Sequence, residues 1–369
     1  MRYEHVIVGG GLAGGMVAQE FREQGGDGSV LLIAREPHTP YHRPPLTKGY
    51  LRGEAGLDEV YMHPDEWWTE QSVDVRTGTE ATAIDPSAHT VTLSGGEAVE
   101  YGKLVLATGA TPRTLPDTVA LRTLDDSQAL AKQLDSGSGH LGVIGGGFIG
   151  VEAAASARMK GWDVTMAVPE SVVWEHLFGA EVARYFQRHL EEHGVNVHTG
   201  TKQLPEGSYD VTLAGIGVTP NTQLAEAAGL TVSNGVETDD HLRAGDDVWA
   251  IGDIANYQSV VHGKRLRIEH WDVALNQGSY VGRTWAGKED APYSVVPYFF
   301  SDIGDWTWFE YVGPGSGRVD VRGSMDDDDF VAYYLDDGDH VVACLGVNRS
   351  DEVEAAKALI SEHRAAPVA

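Results

Sequence analysis

Val6-Ile-Val-Gly-Gly-Gly-Leu-Ala-Gly14 is the stretch that decides the fold. A short β-branched run leads straight into glycines at 9, 11 and 14, the G-x-G-x-x-G spacing of a strand, a tight turn and a helix start. Gly9 allows the turn, Gly11 lets the backbone approach a pyrophosphate, and Gly14 lets the helix pack closely on the strand. Leu12 and Ala13 open the helix and join the same candidate cofactor-binding set. Phosphates held there would face the positive end of the helix dipole and its unpaired N–H groups. The pattern recurs 136 residues further on, as Val143-Ile-Gly-Gly-Gly-Phe-Ile-Gly150. Again an apolar strand precedes it and an Ala-rich helix, Val151 to Met159, follows. Two copies predict two bound dinucleotides, with Gly145, Gly147, Phe148 and Ile149 as the second contact set. One glycine turn alone would be weak, since such turns are common.

The chain of 369 residues is long enough for two or three domains with real cores. Its apolar content of 42% and charged content of 22% are those of a soluble globular protein. The longest apolar runs are too short to span a bilayer, and no charged-then-apolar leader precedes the first strand, so the cytoplasm is the expected location. Cys344 is the sole cysteine. A single cysteine permits no internal disulfide, no C-x-x-C redox pair and no all-cysteine metal cluster; no metal is expected. It reads most simply as a small buried apolar residue between Val342 and Leu345. Acidic residues number 55 against 27 basic ones, for a formal net charge of −28. Nucleic acid and anionic membranes are poor partners for such a surface.

Residues 3–8 read as the first strand, 12–24 as a helix and Val30 to Ala34 as the second strand. A Rossmann unit places an acid about twenty residues beyond the glycines, on a ribose hydroxyl. Glu36 is the candidate, with Arg35 in the slot expected to be acidic. In Tyr41-His-Arg-Pro-Pro-Leu-Thr-Lys48 two prolines fix an extended backbone, so Arg43 and Lys48 are held rather than free. Residues 57–100 read as short strands alternating with turns. Leu104 to Leu106 is a buried strand stopping at Ala107-Thr-Gly109, where backbone can again approach a ligand. Residues 118–135 carry a helix. In the second unit Val164 to Val168 forms a strand that ends Val168-Pro169-Glu170, and Glu170 could reach a ribose, which leans towards NADH. Further elements are a helix over 179–193, a strand over Val195 to His198, and another over Val211 to Val218 that includes Gly215-Ile-Gly217. Val248 to Asp253 ends a strand on Asp253, placed either to accept a hydroxyl hydrogen bond or to cap a following helix. Glu269-His-Trp271 precedes a helix over Val273 to Trp285. Beyond about 290 lie strands at 330–335 and 340–345, an acidic turn at 326–329 and a final helix over 352–364.

In this order the motifs resemble the FAD-dependent NAD(P)H reductases of the ferredoxin and rubredoxin reductase type, relatives of apoptosis-inducing factor. The resemblance rests on Val6 to Gly14, Pro40 to Lys48, Ala107 to Gly109, Ile144 to Glu152, Gly215 to Asn221, Gly252-Asp253, Glu269 to Trp271 and Pro297 to Asp302. It implies FAD on the first glycine motif and NAD(H) or NADP(H) on the second. The FAD contacts it implies are Gly9, Gly11, Gly14, Arg43, Lys48, Thr108, Gly109 and Asp253, with Ala81, Ala107, Arg113, Gly252, Glu269 and Ala274 in the same candidate set. His270, Trp271 and Phe300 would wall the isoalloxazine, and Phe148 would stand at the nicotinamide face. Gly217 joins the nicotinamide set. The resemblance sets Lys48 near flavin N5, paired with Glu152, and these two are the candidate catalytic residues. A fixed cation there stabilises negative charge on reduced flavin. Departures from the family are Arg35 in place of an acid, Val168 in place of the glutamate associated with NADH preference, and a short segment between Thr201 and Asp210.

These readings predict an α/β protein: two Rossmann-like dinucleotide-binding domains and a C-terminal α+β domain. The expected boundaries are 1–112 with 238–288 for FAD, 113–237 for NAD(P)H and 289–369 for the third domain. The expected function is hydride uptake from NAD(P)H, with NADH favoured, and electron delivery to a small iron–sulfur protein of ferredoxin or rubredoxin type. Alternatives are an NADH oxidase or diaphorase using oxygen or quinone, and a redox-gated, non-catalytic flavoprotein like apoptosis-inducing factor; a homodimer is left open. A disulfide reductase is excluded for want of a second cysteine. A glutamate at position 168 is expected to sharpen preference for NADH, and Arg318, Arg322 and Arg349 are the basic residues available to a docking face. An acidic, lysine-poor surface suits a salt-rich medium, where screening removes self-repulsion. The melting temperature should therefore rise between low and molar salt; a flat curve in a salt series would remove the halophilic reading.

Overall fold

The computed structural model describes residues 1–367. The chain divides into two compact units, one made of residues 1–42, 57–111 and 219–295, the other of residues 43–56, 112–218 and 296 onward.

The first unit is built on a mainly parallel sheet. Arg2–Val8 lies between Val30–Ile33 and Ala98–Leu106, with Val73–Arg76 beyond the former and Val248–Ala250 beyond the latter. Arg243–Gly245 forms an antiparallel edge. The central strands read as unbroken apolar runs because helices and a smaller sheet cover both faces. Val6, Ile7, Leu31, Leu32, Leu104 and Val105 are fully buried. Ala81–Asp85 and Thr90–Leu93 form a hairpin that pairs back onto Ala98–Leu106. Val236–Thr238, Ala255–Ser259 and Lys264–Leu266 make a separate three-stranded sheet. The helix Leu12–Glu23 packs against the helix Trp271–Trp285. A Cβ at Gly278 would lie 2.5 Å from the carbonyl oxygen of Ala13, and one at Gly282 would lie 2.8 Å from that of Val17. The two glycines, one turn apart, set how closely these helices approach.

The second unit holds a four-stranded parallel sheet in the order Val195–Thr199, Asp163–Val168, His140–Ile144, Val211–Ala214. It also holds a five-stranded antiparallel sheet in the order Tyr298–Ile303, Thr307–Val312, Val341–Val347, Asp329–Leu335, Arg318–Ser324. The helix Glu175–Glu192 is kinked where Gly179 takes φ 77°. Trp174, Phe178, Phe186 and Phe309 meet edge to face or tilted at centroid separations of 4.6 to 5.8 Å, and form an aromatic core.

Several sequence expectations change here. Residues 57–100 are not all strand and turn, since Asp65–Glu70 is a helix opened by Pro64, Asp65 and Glu66. Asp253 caps no α-helix: Gly252–Ile254 is a single 3₁₀ turn and the next α-helix starts at Trp271. The strand from Val211 ends at Ala214, because Gly215 and Gly217 leave it. The acidic run 326–329 is the turn into Asp329–Leu335, as expected. Three strands between 298 and 324 precede it, and the sequence reading lacked all three.

His5 lies on the first strand, 7% exposed against Phe21 and Trp285. Burial pulls its pKa from 6.5 to about 4, with Lys103 adding to the shift. Between these values the unfolded chain binds a proton that the folded chain does not, so stability falls as pH drops through that window. His5→Leu should flatten the decline in denaturant midpoint between pH 7 and pH 4.5; an unchanged decline would assign the acid limb to other groups.

Candidate active site

The first glycine loop is closed on two sides and open on the third. A Cβ at Gly9, where φ is 128°, would fall 2.1 Å from the carbonyl oxygen of Ala107, and one at Gly14 would fall 2.1 Å from that of Gly9. A Cβ at Gly11 would meet nothing within 4 Å. Gly11 is the N-cap of the Leu12–Glu23 helix, makes no side-chain cap, and no acid occupies the first turn. The first N–H groups of this helix therefore face open space next to Gly11. Thr108 and Asn221 brace the neighbouring loop: Thr108 Oγ1 donates to the Asn221 carbonyl at 2.8 Å, and Asn221 Nδ2 donates to that of Thr108 at 2.8 Å. Gly109 accepts from the Asn221 N–H at 2.9 Å. Gly252 reaches the same end of the sheet, where its Cβ would lie 3.3 Å from Ala13 and 3.9 Å from Ala274. Its N–H donates to Oε1 of the fully buried Gln277 at 2.7 Å, a support that the sequence reading missed.

The remaining first-unit residues sit around this end or at its margins. Glu36 accepts from the Tyr41 hydroxyl at 2.5 Å, while Arg35 is exposed and 4.0 Å from Glu80. Ala81 is buried at the start of its strand. Arg267 contacts the Asp253 carbonyl at 3.2 Å and pairs with Glu269. His270 is the N-cap of the Trp271–Trp285 helix. Trp271 Nε1 donates to His42 Nδ1 at 3.2 Å, and burial, then His63, lowers the His42 pKa.

The second unit repeats the loop. Gly147 is an N-cap without a side-chain cap or a first-turn acid, and Gly145 takes φ 101° with its Cβ position 2.3 Å from the Gly215 carbonyl oxygen. Gly217 accepts from the Arg113 N–H at 2.9 Å. Ile149 is exposed, whereas Phe148 packs among Trp174 and Phe299 at 5.0 Å from each. Glu170 is 3.3 Å from His176. Val168 is fully buried and stands against Gly146, 2.9 Å from where a Cβ there would be. Its side chain therefore packs beneath the second glycine loop.

Lys48, Glu152, Thr47 and Ser301 converge within the second unit. Lys48 Nζ is 2.6 Å from Glu152 Oε2, and the two residues are 8% and 5% exposed. Thr47 Oγ1 donates to the same oxygen at 2.5 Å, and Ser301 Oγ donates to Oε1 at 2.6 Å. Ser156 Oγ donates to the Thr47 carbonyl at 2.7 Å, and Arg43 donates to that of Arg122 at 2.5 Å. Lys48 Nζ lies 6.0 Å from the centre of the Phe300 ring. Burial raises the pKa of neighbouring Asp302, and Lys48 opposes the shift. Thr47 and Ser301 were passed over in the sequence because a hydroxyl beside a charge has no signature at such separations. Cys344 is buried, and burial pushes its thiol pKa well up, as a packed apolar residue requires.

A family model described as pyridine nucleotide-disulphide oxidoreductase matches residues 3–278. The chain belongs to this family. It is 35% identical over 395 residues to putidaredoxin reductase of Pseudomonas putida, covering 97% of this chain and 91% of that one. It is 33% identical to the ferredoxin–NAD(+) reductase component of the anthranilate 1,2-dioxygenase system of Burkholderia cepacia, covering 96% and 93%. The covalent putidaredoxin reductase–putidaredoxin complex superposes with a TM-score of 0.90 at 34% identity, covering 98% of this chain and 93% of that one. The chain is thus a flavoenzyme of the family, using FAD and a nicotinamide nucleotide. The open face at Gly11 and the uncapped helix starts at Gly11 and Gly147 fit two pyrophosphates.

Val168→Glu should cost roughly 3 kcal/mol or more in chemical denaturation, since it would bury a carboxylate under the loop. It should leave the ratio of NADH to NADPH activity unchanged. A sharper NADH preference without loss of stability would show that position 168 meets the nucleotide after all.

Proposed function

We propose that this protein is a cytoplasmic NADH-dependent reductase of a small iron–sulfur carrier of ferredoxin or rubredoxin type. The reading is carried by one conjunction: likeness to ferredoxin reductases along nearly the whole chain, in a protein whose sole cysteine is buried. A thiol relay is thereby closed. When bound, FAD converts the two-electron chemistry of a nicotinamide into one-electron transfers. The balance is one NADH and two oxidised carriers giving NAD⁺, two reduced carriers and a proton. The cytoplasm supplies both NADH and soluble carriers, and no helix among the described residues is long and apolar enough to cross a membrane.

In this reading residues 1–112 and 238–288 hold FAD, with Gly9 to Gly14, Thr108, Gly109 and Asp253 as contacts. Residues 113–237 hold the nicotinamide nucleotide on Gly145 to Ile149, and residues 289–369 form the third domain. Glu170, partly exposed at the end of its strand, would meet the ribose and repel a 2′-phosphate. Lys48 supplies a fixed positive charge, and Glu152 holds it in place. The acceptor surface is not a simple basic patch. Arg318 pairs with Asp339, Arg322 with Asp320, and Arg349 with Asp329 and Glu352. Docking to an acidic carrier would then depend on salt, through screening of two negative surfaces.

Anaerobic titration should bleach the bound flavin at near-stoichiometric NADH, with NADPH far less effective. A [2Fe–2S] ferredoxin or a rubredoxin should then be reduced at two per NADH. Lys48→Ala should slow flavin reduction about tenfold or more. Fast NADH consumption in air with no iron–sulfur carrier reduced would instead make the protein an oxidase or diaphorase. A Lys48→Ala variant with the native rate would reduce Lys48 to scaffolding.

A further inference from the structure

The strand Tyr298–Ile303 alternates as strands do, with Phe299, Ser301 and Ile303 on one face and Phe300 and Asp302 on the other. Ile303 is fully buried, and Phe299 packs on Phe148, Phe309 and Tyr311. Position 301 therefore belongs to an apolar face, and Ser301 is itself only 1% exposed. A hydroxyl is costly there unless it is used. Its use is Glu152: Ser301 Oγ is the donor to Oε1, whereas Oε2 is shared by Lys48 and Thr47.

We infer that Ser301 is a positioning residue for Lys48, acting through Glu152; the inference rests on the role proposed above for Lys48. Glu152 has two oxygens and three donors. Thr47 and Lys48 are neighbours in sequence, so between them they fix only Oε2. The Ser301 hydroxyl fixes the other oxygen and so the rotation of the carboxylate plane. It is delivered by a strand whose backbone is paired residue for residue with Thr307–Val312, Ser301 opposite Phe309. Without that hydroxyl Oε1 is buried and lacks a donor. The carboxylate is then free to turn and seek a new partner. A rotated Glu152 no longer fixes the ammonium of Lys48. Ser301 thus also ties the five-stranded sheet to the charge that the reaction uses.

The test uses the FAD-loaded full chain and three variants: Ser301→Ala, Ser301→Thr and Lys48→Ala. Flavin reduction by NADH is followed by stopped flow, together with the flavin midpoint potential. Ser301→Ala should slow reduction roughly tenfold and shift the midpoint potential. Ser301→Thr keeps the hydroxyl and should restore the native rate and potential. A Ser301→Ala enzyme with native rate and potential, beside an impaired Lys48→Ala enzyme, overturns the inference and leaves the reading of Lys48 standing. An unimpaired Lys48→Ala enzyme overturns that reading instead. If Ser301→Ala gives no soluble protein, Ser301→Cys decides the matter, since it replaces the hydroxyl with a weaker donor: a depressed rate with a shifted potential supports the inference and a native rate overturns it.

Discussion

A buried carboxylate governs the cluster around Lys48. Taking Glu152 out of water costs several kcal/mol, and its attraction to Lys48 repays that only when the remaining lone pairs are filled. Here they are filled by Thr47 and Ser301, from segments more than a hundred residues away on either side. The arrangement is an all-or-nothing one. With every donor present the ammonium is fixed to one place; with any donor missing, a buried charge is left to find another partner. That is why a short Pro-Pro-Leu-Thr-Lys segment, the helix Phe148–Met159 and a strand of the antiparallel sheet are held in one geometry.

The glycine loops obey a second constraint, that of space. At Gly9 and Gly145 neighbouring carbonyl groups occupy the volume that a side chain would need. The resulting turns lead into helix starts that no side chain caps, an end whose dipole favours an anion. The same economy recurs between helices, where Gly278 and Gly282 admit the backbone of Leu12–Glu23. In the second unit the order is reversed: bulk, supplied by Trp174, Phe178, Phe186 and Phe309, fills the interior and fixes Phe148 beside the second glycine loop. Phe148 is thus part of a packed cluster as well as a residue of the loop.

Charge acts on a longer scale. A formal net charge of −28 opposes any approach by an acidic carrier, and Arg318, Arg322 and Arg349 are each paired with nearby acids. Salt would lower that long-range barrier by screening.

The glycine motifs, the apolar strands before them and the charge balance were legible in the chain itself, because glycine spacing and hydrophobic runs are local properties. From them followed the α/β class and, by resemblance, the pairing of Lys48 with Glu152. The strands between 298 and 324 were not legible, since Asp, Gly and Trp interrupt their alternation and cross-strand partners supply what local pattern lacks. Nor could the sequence say which way Val168 points: a strand end reads alike whether its last side chain faces ligand or core. Ser301 shows the difference most clearly. As a letter it is an unremarkable polar residue; only tertiary packing turns it inward, onto the carboxylate oxygen that Thr47 and Lys48 leave unpaired.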